Sequence, residues 1–381
     1  MNSIPCFWMR GGTSKAGCFI ESDLPSSIAA QDEILCRIYG SNDPSGRQID
    51  GMGGGTSTTS KAMIVAKQSG EKNTVNYTFC QVEVSSNAVD RKGNCGNISS
   101  AVGPFAIEKG LVDEISEPIT KVKIFNTNTK KTIISHVPVK NGKVVYRGDF
   151  SISGVPGTGA RIQLDFLSPG GAVTGKLLPT GNPQDVIDVA GYGQYVISVV
   201  DAGNPLVFVR AKDLGLTGQE LPSDIDSNPE LLAKMLAIRE TTAVLIGLAK
   251  DINDARHNSQ AVPKFCFVAP PTNYTNLQGQ RISAQHIDIL ARMLSMGKLH
   301  PVLAITGGIC IGAAAKIPGT LVHEVVSGND DKDELIIGHC SGMLSVSADV
   351  ETRNGEVEVM NGTVYRTARV LMKGSVSLDE S

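Results

Sequence analysis

Arg91-Lys92-Gly93-Asn94-Cys95-Gly96-Asn97-Ile98-Ser99-Ser100-Ala101-Val102 sets glycines and short polar residues just ahead of an apolar, small-residue run. That pattern predicts a turn feeding a buried helix over Ile98 to Lys109, with Pro104 as a kink or packed turn and Gly110 as the stop. A cysteine at such a start has its sulfur beside backbone N–H groups that lack intrahelical partners. Those groups, with the positive end of the helix, stabilise a thiolate and any carboxylate bound next to it. Cys95 is therefore a candidate proton carrier, and Asn94, Gly96 and Asn97 are candidate ligand contacts. Cysteine also packs as an ordinary small hydrophobe, so the position alone leaves both roles open.

Two further glycine-rich segments suit the same kind of pocket. Arg10-Gly11-Gly12-Thr13-Ser14-Lys15 combines backbone that can approach an anion, two hydroxyls and two cations. Its plain alternative is a surface turn after a first strand. Gly51-Met52-Gly53-Gly54-Gly55-Thr56-Ser57-Thr58-Thr59-Ser60-Lys61 could form an anion-binding nest. It is not a nucleotide phosphate loop, because Ser60 precedes Lys61 and Ala62 follows it. Lys61 borders the apolar run Met63 to Ala66, where partial loss of water would make it a usable proton carrier. A lysine reaching out from a strand end is the competing explanation.

Composition narrows the function. At 381 residues the chain exceeds one ordinary core and predicts two or three domains. Aromatics are only 5% and the net charge is -3, without a basic block, which argues against nucleic acid. An anionic metabolite stays open, because binding depends on local donors. Eight irregularly spaced cysteines, a polar start and no uninterrupted apolar span predict free thiols, a reducing cytoplasm and no membrane segment. The six histidines form no H-E-x-x-H and the cysteines no C-x-x-C, so no metal site is expected. Ser14, Ser57 and Ser60 lack a nucleophile elbow. No G-x-G-x-x-G stands in strand-to-helix context, which disfavours a dinucleotide fold.

Along the chain, strands are predicted at Val75 to Val84, Val122 to Phe125, Thr132 to Val137 and Arg161 to Phe166. Tyr195 to Asp201, the turn Ala202-Gly203-Asn204-Pro205 and Leu206 to Arg210 open a second half. There the pattern predicts helices over Pro229 to Leu248 and Ala284 to Leu294. It predicts strands at Phe265 to Ala269, Val322 to Val326, Gly355 to Met360 and Val364 to Met372. Leu303 to Ala315 suits a tightly packed element. Ile336-Ile337-Gly338-His339-Cys340-Ser341-Gly342 reads as a second strand-to-turn-to-helix signature, with His339 and Cys340 as further donor or proton-transfer candidates. The weak internal repeat favours two similar domains.

Taken in order, Met9 to Lys15, Gly53 to Lys61, Gly93 to Asn97, Gly338 to Gly342 and Arg366-Thr367-Ala368-Arg369 resemble the PrpF-type isomerases over nearly the whole chain. The resemblance implies an α+β fold of the diaminopimelate epimerase type. Two pseudo-symmetric domains each wrap β-structure around a central helix, with the active-site cleft between them. The expected boundaries are 1–190 and 191–381, with a final strand exchanging back to the first domain. The epimerases oppose two cysteines, and Cys95 matches the first. Aligning Ser341-Gly342 puts His339 at the second position, so a two-thiol mechanism is disfavoured.

In PrpF-like enzymes the pair matching Lys61 and Cys95 is implicated in catalysis. The implied substrate contacts are Arg10, Gly12, Thr13, Ser14, Lys15, Gly54, Gly55, Thr56, Ser57, Asn94, Gly96, Asn97, Asn204, His339, Ser341 and Gly342. The implied activity is a shift of a C=C bond in a small unsaturated di- or tricarboxylate by allylic proton transfer. The redox-neutral step needs no cofactor and no metal. The leading expectation is 3-methylitaconate (2-methylene-3-methylsuccinate) to dimethylmaleate. The alternatives are 2-methylaconitate cis–trans isomerisation, 4-oxalomesaconate tautomerisation, or a non-catalytic carboxylate-binding accessory protein. A homodimer or higher homo-oligomer is compatible with the sequence.

Overall fold

The computed structural model describes residues 3–91, 93–260, 262–295, 297–326, 332–353 and 356–378. Its contacts divide the chain into two units, Met1–Asp165 with Tyr365–Ser381, and Phe166–Val364. The division falls ahead of the 190/191 boundary expected from sequence, and the last strand belongs to the first unit.

In the first unit, β1 (Ser3–Gly11) turns into β2 (Ser14–Ile20). Then follow α1 (Ile28–Tyr39), β3 (Lys61–Lys67), β4 (Thr74–Val82) and α2 (Gly96–Glu108). β1 pairs antiparallel with β2 and with the strand Ala368–Ser377. β2 runs parallel to β3, and β3 antiparallel to β4. β4 runs parallel to Ile119–Asn126, which pairs antiparallel with Lys131–Lys140.

Strand alternation gives this sheet two apolar faces. Ile4, Cys6, Phe19, Ala62, Ile64 and Cys80 pack with Leu35, Ile38 and Tyr39 of α1. The alternate set lies on the side of α2: Phe7 meets Phe105 edge-on at 5.5 Å, and Gly11 abuts the Asn97 carbonyl. Every residue of α2 from Gly96 to Ile107 is buried. The helix therefore runs as an enclosed rod and continues through Pro104.

The second unit has the same logic. Gly193–Asp201 and Pro205–Arg210 form a hairpin. Pro205–Arg210 runs parallel to Lys264–Ala269, which pairs antiparallel with Ile289–Ser295. The ladder continues through Leu335–His339, Gly342–Arg353 and Glu356–Arg366. The enclosed helix here is Ile305–Ala315, buried along its whole length. It lies close to its sheet because Gly308 and Gly312 face Leu344 and Val346, where a Cβ would come within 2.6 and 3.0 Å. Pro229–Leu245 is helical as expected.

Three elements differ in type from the sequence pattern, and the expected strand Val364 to Met372 is divided between Glu356–Arg366 and Ala368–Ser377. Ala284 to Leu294 is a short 3-10 turn (Ala284–His286) followed by the strand Ile289–Ser295, not a helix. Ile289 to Leu294 are all buried, and an apolar run covered on both faces carries no period to separate strand from helix. Leu321–Val325 is a helix, not a strand, started by the Thr320 hydroxyl accepting the His323 N–H. His339 to Gly342 is the turn of a hairpin, with His339 opposite Gly342. The signature there is strand to turn to strand, and the second buried helix starts at Ile305 instead. The expected strand at Gly355 to Met360 runs over Glu356–Arg366, with Gly355 outside the described residues.

Candidate active site

The site builds outward from the start of α2. Cys95 is its N-cap, in extended conformation, and no side chain caps the first turn. The leading N–H groups of the helix stay open for a ligand. The Cys95 thiol is partly exposed and points to the Ser14 hydroxyl at 4.0 Å. Beside it, the Asn97 amide oxygen accepts the Thr13 N–H and the Arg366 Nε, each at 3.3 Å. Gly12, at φ +52, lies so close that a Cβ would fall 2.1 Å from that oxygen. Asn94 accepts the Ser99 hydroxyl at 3.4 Å. Gly12, Thr13, Ser14, Asn94, Cys95, Gly96 and Asn97 thus form one cluster.

Lys61 opens β3 next to this cluster. Its register partner on β2 is Ala16, two residues beyond Ser14 and therefore on the same face. The side chain is 8% exposed, donates to Gln81 Oε1 at 2.5 Å and stands over the Phe79 ring at 5.1 Å. Below lies Tyr77, whose phenol is pushed far above its ordinary value by burial and then by the neighbouring Cys95. Lys61 and Tyr77 therefore share the sheet face under α2, with the Cys95 thiol at the start of that helix.

Arg10 and Lys15 are not brought into this group. Opposite each other in register, they take the other face of the sheet from Gly11 and Ser14. Arg10 donates to the carbonyls of Gly12 and Thr367, both at 2.9 Å. Burial and then the charge of Arg369 lower its pKa. The segment Gly54 to Ser57 is tied mainly to itself and to Gln48. Gly55 N–H donates to Gln48 Oε1 at 3.1 Å, and the Thr56 hydroxyl bonds those of Thr58 and Thr59. It reaches the first loop through Lys15 N–H to the Thr58 carbonyl at 2.9 Å. Ser57 is exposed.

Within the second unit the remaining expected residues gather at the corresponding helix start. Asn204 Nδ2 donates to the Thr306 hydroxyl at 3.0 Å, in the first turn of Ile305–Ala315. Ser341 donates to the Pro301 carbonyl at 2.6 Å, and its N–H reaches His339 Nδ1 at 3.2 Å. The Gly342 carbonyl accepts the Tyr274 phenol. Cys340 instead belongs to the apolar core. The N-cap Ala304 again offers no side-chain cap.

Sequence reasoning missed Gln81, Tyr77 and Thr306, whose roles appear only once strands are in register. Arg366 lies in the family-like stretch Arg366-Thr367-Ala368-Arg369, yet the sequence assigns it no role. Among the described residues no three His, Cys, Asp or Glu side chains group as metal ligands, and all eight cysteines are free. No described helix is long and apolar enough to cross a membrane.

The family model described as PrpF protein matches residues 1–379. The chain is 44% identical to the 2-methyl-aconitate isomerase of Shewanella oneidensis, over 98% of this chain and 96% of the relative. It is 42% identical to the 3-methylitaconate isomerase of Eubacterium barkeri, over 99% and 98%. A crystal structure of methylitaconate-delta-isomerase superposes with a TM-score of 0.85 at 42% identity, covering 98% of this chain and 95% of that one. The α+β architecture of the diaminopimelate epimerase type is thereby shared with a solved relative. Matched from end to end by the family model and by isomerases of its own length, the chain belongs to the PrpF family of isomerases.

Proposed function

We propose that this protein moves a C=C bond within a small unsaturated dicarboxylate by cofactor-independent 1,3-proton transfer, with 3-methylitaconate and dimethylmaleate as the interconverted pair. The observation that carries this reading is the shared sheet face. Lys61 stands level with Ala16, two residues from Ser14, and the Ser14 hydroxyl meets the Cys95 thiol at the open start of α2. The N–H groups of that first turn and of the Gly12 to Ser14 loop hold a carboxylate. Lys61 or Cys95 takes the allylic proton. The C–H electron pair becomes the new double bond, and the old π pair moves to the far carbon. That carbon receives a proton from the other partner. The charge of the dienolate-like intermediate spreads onto the adjoining carboxylate, where fixed donors stabilise it. One proton leaves and one returns, so nothing is oxidised or reduced.

The 44% identical relative named for 2-methyl-aconitate favours a second reading, in which a tricarboxylate is the substrate. NMR in deuterated water, without added cofactor, separates the two. The purified protein is incubated with 3-methylitaconate and, separately, with 2-methylaconitate. Conversion of the first acid with deuterium entering the allylic position supports the leading reading. Conversion of the second alone transfers the assignment. No conversion and no exchange with either defeats the isomerase proposal. Lys61→Ala and Cys95→Ser should each remove most turnover while the chain stays folded.

A further inference from the structure

Arg366 is 6% exposed, yet among the described residues no carboxylate neutralises it. Its Nε donates to Asn97 Oδ1 at 3.3 Å and its Nη1 to the Tyr365 carbonyl at 2.7 Å, both uncharged acceptors. Burial pulls its guanidinium down to about 9 with no anion offsetting the fall. A cation held out of water without a counter-ion is strongly disfavoured. The cost is raised further by the company Arg366 keeps. Asn97 is in the first turn of α2, where the positive end of the helix adds charge of the same sign. Two sources of positive potential converge at Asn97, two residues from Cys95, and among the described residues no carboxylate answers them.

We propose that Arg366 receives one carboxylate of the substrate, completing with the first turn of α2 a two-sided carboxylate subsite next to Cys95. The inference rests on the isomerase reading above and names a residue for it. The guanidinium fork suits a carboxylate, which can accept two parallel N–H donors. Asn97 keeps the fork in place: its amide oxygen holds Nε while the same atom fixes the Thr13 N–H. The ligand thus supplies the negative charge that Arg366 lacks among its described neighbours. Burial without a counter-ion is then a device for binding, since the acid replaces lost water with a matched ion pair.

The test compares two saturated probes that cannot isomerise, 2,3-dimethylsuccinate and its monoamide, by titration calorimetry on the intact protein. The wild type should prefer the diacid by about 30-fold, the scale of a hydrogen-bonded ion pair. Arg366→Gln should bind the diacid about as weakly as the monoamide. A merely structural arginine would instead weaken both probes equally on substitution, leaving the preference intact, and that result overturns the proposal. If the glutamine variant does not fold, Arg366→Met, apolar and of similar length, takes its place in the same comparison. Turnover of the unsaturated acids is measured alongside. A wild type that turns over none of them defeats the isomerase reading, while the probe preference still judges Arg366. A wild type that turns them over, with the preference surviving in the variant, defeats the Arg366 assignment alone.

Discussion

The phenol of Tyr39 donates to the carbonyl of Lys61 from behind the sheet, while accepting the Gly17 N–H at 2.8 Å. Tyr39 is the last residue of α1 and is fully buried. One side chain thus ties the parallel pair β2 and β3 together where the proposed catalytic amine begins. Tyr39→Phe leaves a buried N–H and a buried carbonyl without their partner. We expect a loss of about 1–3 kcal/mol of stability, read from urea unfolding, and a kcat that falls more than KM rises. An unchanged urea midpoint would show that the hydroxyl is dispensable.

Gln81 holds Lys61 from the front. Its Oε1 accepts the Lys61 Nζ, and its Nε2 donates to the Ser60 carbonyl at 2.9 Å. Gln81→Leu keeps the volume and removes the tether. Small misplacement of a reacting group costs about 100-fold, so kcat should fall by about 10- to 100-fold with KM little altered. Steady-state kinetics decide it: a variant with full kcat would mean that Lys61 needs no such partner.

Gly12 carries a conformational demand as well as a steric one. At φ +52, with Asn97 Oδ1 in the space of a Cβ, Gly12→Ala must move either the loop or the asparagine. A drop of about 100-fold in kcat/KM is the expected outcome, with circular dichroism showing the fold retained. Activity within a few-fold of wild type would show that the loop and α2 need not touch.

Alkaline pH should unfold this chain through its interior thiols. Burial above all raises Cys6 to about 11, and Cys80 and Cys266 to about 12. In the unfolded chain these groups ionise near the ordinary thiol value, so above it the unfolded state binds fewer protons than the native one. Stability must then fall as pH rises, by about 1.4 kcal/mol per pH unit for each thiol between roughly pH 9 and 11. Arg366 opposes this with one proton, because its guanidinium is lowered and the native state releases it first. Three thiols outweigh one guanidinium. Urea midpoints at pH 8, 9 and 10 provide the check, and a flat or rising series would contradict it.

Much of the architecture was readable because local signals agreed. The glycine-and-asparagine turn ahead of Ile98 to Val102 announced the buried helix, and its observed span Gly96–Glu108 differs from the pattern by two residues at the start. Where both faces of an element are covered, the signal vanished, as in Ile289–Ser295. The hairpin at His339 was misread because a glycine-rich turn after a strand looks alike whether a strand or a helix follows. Around the site, the polar residues of Gly12 to Ser14 and Asn94 to Asn97 were legible as a chemical type. That Arg10 and Lys15 take the opposite face was not, since the parity of a strand is known only when one residue has been anchored against a neighbour. Arg366 escaped for a related reason: that no carboxylate among the described residues meets it is a property of three-dimensional surroundings.

The pairing of Ser3–Gly11 with Ala368–Ser377 sets an order of events during synthesis. Ser3–Gly11 leaves the ribosome long before Ala368–Ser377, and its ladder with that strand closes only when the later segment arrives. The half that holds Lys61 and Cys95 is therefore finished only after the intervening half has been made, and a nascent chain stopped short of Ala368 keeps an unzipped edge along its opening strand.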